Sequence, residues 1–146
     1  MGFLKNLLGT GSGGEKLSLQ DNDLGTFSAL NSSPNRIIWS GLVDFMGERV
    51  SLFITGEKDK LDVSHEEAVM NMLQKEQEIE VEVDRSLKEQ YDNADKEYSN
   101  WKAHFKCISI SSSEYDLNIT MEEKDSFYHF SIQFKDNKAT DVAIDS

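Results

Sequence analysis

Two blocks of period-two alternation, one on each side of a long acidic stretch, constrain this chain more than any other feature. In FYHFSIQF, Tyr128, Phe130, Ile132 and Phe134 alternate with His129, Ser131 and Gln133; in YDLNITM, Tyr115, Leu117, Ile119 and Met121 alternate with Asp116, Asn118 and Thr120. Such runs read as half-buried antiparallel strands with one wet face. The strand period begins near Phe105, and Asp136-Asn137-Lys138 turns the chain into a last strand, ATDVAID. On the other side, DLGTFSAL, RIIWSGLVDF and RVSLFIT, joined by NSSPN and MGE, read as a three-stranded meander. Its second strand carries Ile37, Trp39 and Val43 on one side and Ile38 and Leu42 on the other, so both faces are apolar and the strand is expected to be central.

Between the blocks the pattern turns helical. Ser64-His65-Glu66-Glu67 has the spacing of a capping box, and Val69, Met72 and Leu73 give the helix behind it an apolar stripe. The next stretch is ambiguous over residues 79–83, because Ile79, Val81 and Val83 alternate as a strand would. The helical series Ile79, Val83, Leu87, Tyr91, Ala94, Tyr98 runs longer, which predicts a second helix over residues 78–98 after a break near Glu76. Strands, then helices, then strands, without βαβ alternation, imply an α+β fold: an antiparallel sheet of about six to seven strands, with the helices packed on one face.

The chain has 146 residues, of which 38% are hydrophobic, enough for one core and one domain. Residues 1–14 are expected to be a flexible tail, with a short apolar segment (Phe3, Leu4, Leu7, Leu8) and a Gly/Ser linker, ahead of a single domain over 15–146. GTGSGG in that linker satisfies G-x-G-x-x-G, yet no β-branched strand precedes it and no apolar helical period follows it. A phosphate-loop reading fails as well, since Glu15 and then Lys16-Leu17 stand where Lys and Ser/Thr are required. No nucleotide or other cofactor is therefore expected. The apolar segment is far shorter than the roughly 20 residues of a membrane span.

A formal charge of -12 argues against nucleic acid as a partner, because phosphate contacts need Lys and Arg. A basic protein is the better electrostatic match, and association with a second copy is compatible with the sequence. Residues 61–100 hold 12 Asp/Glu against 4 Lys/Arg, so -8 of the charge sits there. Glu76, Glu78, Glu80, Glu82 and Glu89 form the candidate partner surface, and the run Glu76, Glu78, Glu80, Glu82, Asp84 reads as uniformly solvated. The single Cys107 excludes an internal disulfide and fits a cytoplasmic location.

No catalytic set stands out. Val69 occupies the position where H-E-x-x-H needs its second histidine after His65-Glu66. A site assembled from His104, His129 and Cys107 has no spacing that requires it. Asp21-Asn22-Asp23-Leu24-Gly25 begins like a calcium loop, but its glycine comes one residue early and no glutamate closes it, so it reads as a turn and no metal is expected. Trp39, Trp101, Tyr91 and Tyr98 read as core and junction aromatics.

The order of elements, from LGTF and the Trp39-x-Gly41-x-Val43 strand through Ala68 and Leu73 to an acidic helix with Tyr91, resembles a group of small bacterial domains of unknown function, over about residues 24–95. Some of that group are similar to immunity proteins of toxin systems. The resemblance implies a cytoplasmic bacterial protein without catalysis and brings no functional residues. The expected function is a non-enzymatic protein-binding domain, in the form of an immunity-type inhibitor of a basic partner. The alternatives are a small-ligand binder or enzyme with a pocket between helices and sheet, and a structural accessory subunit attached through residues 1–8.

Overall fold

Nine directly opposed pairs, from Ile37 with Gly56 to Phe45 with Glu48, make the longest ladder of the computed structural model, which describes residues 17–31, 36–112 and 116–146. The two strands are β3 (Ile37–Phe45) and β4 (Glu48–Gly56). Their turn, Met46-Gly47, places both residues at positive φ, the geometry that matches strand twist in a two-residue hairpin. Before them lie β1 (Ser18–Asp21) and β2 (Gly25–Ala29). After them come α1 (Val63–Gln74), α2 (Glu76–Asn93) and the short α3 (Trp101–His104). The chain then finishes in β5 (Phe105–Ser112), β6 (Leu117–Glu123), β7 (His129–Lys135) and β8 (Lys138–Asp145). All eight strands form one sheet in chain order, antiparallel throughout except where β5 joins β4 in parallel.

The α+β class and the helical layer are as the sequence implies, with corrections. There are eight strands rather than six or seven, because SLQD forms an edge strand whose one deep contact is Leu19 opposite Phe27. The sheet is not wholly antiparallel: the long helical connection is the crossover that a parallel pair needs. The second helix starts at Glu76 and stops at Asn93, so Ala94 caps it and Tyr98 lies beyond it. Residues 79–83 are helical. The capping box does not form; the N-cap lies two residues earlier, at Asp62, with α1 starting at Val63 and no side-chain cap. The Asp62 carboxylate is taken instead by Arg36 at 2.6 Å and Thr55 at 2.9 Å. The expectations for residues 1–14, for the attachment role of residues 1–8 and for Tyr115 lie outside the described residues.

One face of the sheet is sealed. Trp39, Leu52, Ile54, Ile110, Ile119 and Ile132 meet Val69, Met72, Ile79, Val83 and Leu87 of the helices, all at 0% exposure. Each such side chain contributes about 1.5–3 kcal/mol of transfer free energy. Gly41 is small for a packing reason: a Cβ there would stand 2.8 Å from the Phe27 ring. Among the described residues no helix covers the other face. β3 is interior to the sheet, yet only one of its faces is buried, with Ile38 37% and Leu42 53% exposed. Ser51, Ser109, Thr120 and Ser131 cross this open face in register. Among the described residues no helix is long and apolar enough to cross a membrane.

Candidate binding surface and cleft

The five glutamates singled out from the sequence do not share one face of α2. At about 100° per residue, Glu76, Glu80 and Asp84 lie on one flank, while Glu78, Glu82 and Glu89 fall within about 40° of one another on a second. Nor are they uniformly solvated. Glu80 accepts the indole N–H of buried Trp101 at 2.8 Å, and Glu82 accepts Arg85 at 2.8 Å and the Ala139 amide at 2.9 Å. Burial opposes the Glu82 charge, but Arg85 and the Ala139 amide more than offset it, holding the carboxyl below its ordinary range. These two glutamates fasten α2 to α3 and to the start of β8. Glu76 is half-buried, whereas Glu78 and Glu89 are exposed, as is Glu67 on α1.

The junction aromatics are held by two acids, half-buried Asp84 and buried Glu123. Tyr98 donates to Asp84 at 2.5 Å, and Tyr91 donates to Glu123. Burial and the facing carboxylate push both phenols well above the ordinary tyrosine range. Burial opposes the Glu123 charge as well, but hydrogen bonds from Ser126 and Tyr91 and the Lys96 ammonium hold it ionised, below its usual range.

The histidines and the thiol do not meet. Cys107 is in the core, its thiol pushed up to about 12 by burial and by the Glu48 charge. His129 projects from the opposite face of the sheet beside Glu122, and His104 accepts the Ser99 amide while stacking on Tyr98.

The first turn of α1 gathers more chemistry than its sequence suggests. Asp21 accepts the amides of Asp23 and Leu24, and the fold brings Glu66 onto this turn, so that oxygens of Asp21, Asp23 and Glu66 lie within 4.8 Å of one another. Among the described residues this is the one group that could hold a metal ion. The hydrogen bond with Asp21, burial and the charges of Asp21, Asp23 and Glu67 push Glu66 up to about 7. A protonated Glu66 therefore donates to an ionised Asp21, which the same bond holds below its ordinary range against burial. The sequence showed the aspartates; Glu66 lies more than forty positions away, and no local pattern connects them.

On the next face of that turn, His65 is 7% exposed and lines a cleft of about 480 Å³ between α1 and the loop end of β5–β8. Its Nδ1 lies 3.0 Å from both Thr55 Oγ1 and Ser112 Oγ. The Thr55 hydroxyl has one proton, and the acceptor-only Asp62 carboxylate takes it. Nε2 makes no hydrogen bond among the described residues. Because one nitrogen serves both hydroxyls, His65 cannot take a proton from Ser112 while being held through Thr55 at its other nitrogen, which is what a nucleophile relay needs.

In comparisons with known proteins, no protein family, no curated protein and no solved structure matches this chain.

Proposed function

We propose that this chain is a non-enzymatic domain that binds a basic protein through the acidic side of its helical layer. The observation that supports this reading is the set of exposed carboxylates Glu67, Glu78 and Glu89, which make no hydrogen bond or ion pair among the described residues. Folding uses Glu80 and Glu82 but leaves these three for a partner. An immunity-type inhibitor of a basic toxin is the form of this function that the sequence resemblance favours.

The test is a triple reversal, Glu67→Lys, Glu78→Lys and Glu89→Lys, which spares the carboxylates that hold the fold. Partners captured by the native chain from the lysate of its source cells, washed at low and at high salt, should include one basic protein released by salt and lost by the variant. Undiminished capture by the triple variant would remove the acidic side from the account.

A further inference from the structure

We infer that the cleft beside His65 is the anchor pocket for a lysine or arginine side chain of that basic protein. This rests on the reading of the chain as a binder of a basic protein, and it adds where the contact is fixed. The pocket has an acidic rim, formed by Glu67 of α1 and Asp136 of the β7–β8 turn. The largely buried His65 imidazole forms part of the lining. Leu117, Phe134 and Ala68 supply apolar wall. The formal count of Glu67, Asp116 and Asp136 against Lys135 leaves the lining negative, with Lys135 already 3.8 Å from Asp116.

Ammonium and guanidinium groups are donors only, on apolar stems, so such a guest complements both the acceptors and the walls. A neutral or anionic guest would leave the rim unmatched. A protein is favoured over a free amine because two further exposed carboxylates, Glu78 and Glu89, lie beyond the pocket on α2. Asn137 donates to Asn71 at 2.5 Å across the cleft end, and β8 begins at the next residue. Glu82 is bonded to Ala139 there, and Glu78 and Glu89 follow on the same flank of α2. A small amine would cover only the first part of that path.

The experiment is a titration of the isotope-labelled full chain with oligolysine and oligoarginine peptides, read from backbone amide shifts at His65, Asn71, Ser112 and Asn137. All four should move saturably. Glu67→Gln with Asp136→Asn should weaken binding roughly fivefold or more, as loss of an anchor does, and more than Glu78→Gln with Glu89→Gln. Asparagine tolerates the positive φ of 52° at position 136, so that pair tests charge and not folding. Ala68→Phe, at an exposed helical position, should fill the pocket at unchanged charge and abolish the cleft shifts while those on α2 persist. Shifts confined to α2, with the cleft amides unmoved, would overturn the anchor and leave the basic-partner reading standing. No shift anywhere would overturn both. Methylammonium binding as tightly as the peptides would overturn the assignment to a protein side chain.

Discussion

Replacing Glu80 by alanine should damage this protein far more than replacing Glu78, two residues away on the same helix. Trp101 is 1% exposed, and its indole N–H has its acceptor in Glu80 at 2.8 Å. Glu80→Ala leaves that donor buried without a partner, which costs about 1–3 kcal/mol. At roughly 2–4 °C per kcal/mol for a chain of this size, the melting temperature should fall by roughly 2–12 °C. Glu78→Ala removes an exposed carboxylate without a partner and should stay within about 0.5 kcal/mol, under about 2 °C. Thermal and urea unfolding followed by circular dichroism read both. The decisive comparison is Glu80→Ala in a Trp101→Phe background, where the donor is gone and the cost of losing Glu80 should shrink by about 1 kcal/mol or more. Equal losses for Glu78→Ala and Glu80→Ala, or an unchanged Glu80 cost beside Phe, would refute the division of α2 into fold-holding and partner-facing acids.

Three further outcomes are expected. Glu66 is raised in the fold from 4.5 to about 7, so the proton it retains contributes stability that is complete below 4.5 and lost as pH rises through about 7; Glu66→Gln should flatten the melting-temperature profile across that window, and an unchanged slope would contradict the Asp21–Glu66 pairing. The Cys107 thiol, buried and pushed up to about 12, should react with a thiol reagent at neutral pH only at the rate of unfolding, whereas rapid labelling of the folded protein would contradict its place in the core. Gly56→Ala would bring a Cβ within 2.5 Å of the Lys60 carbonyl and 2.8 Å of the Leu61 Cα, backbone atoms that cannot rotate away, and urea unfolding should show a loss of about 2–3 kcal/mol.

What was legible in the sequence follows from how local each signal is. β6 and β7 announce themselves because one face is wet, so Ile119 and Ile132 are buried while Asn118 and Gln133 are not. β1 carries one deep contact in a four-residue edge strand, too little for a period to register. The parallel meeting of β4 and β5 depends on the path of three helices, which no window of alternating residues records. The capping pattern at Ser64 was a valid local signal, but α1 starts from Asp62, whose carboxylate is held by Arg36 across the fold. The binding surface divides in the same way. Its charge could be counted, but the acids that serve the fold are identified by partners 21 and 57 residues distant, Trp101 for Glu80 and Ala139 for Glu82. His65 was visible as a first-turn histidine, and its pairing with Ser112 is 47 residues long.

The parallel seam of the sheet is short: among the described residues, the backbone ladder that joins the first four strands to the last four pairs residues 51–53 of β4 with residues 109–111 of β5. Left to itself, such a joint would let the chain melt as two four-stranded halves in succession. The helices prevent that, because α1 rests on β4 while α2 packs against α1 and reaches β8. They act as a brace across a hinge, and unfolding should therefore be a single cooperative step rather than two. A ligand gripping α1 and the start of β8 together would tighten the brace, so that occupancy of the surface is registered as resistance of the whole sheet to opening.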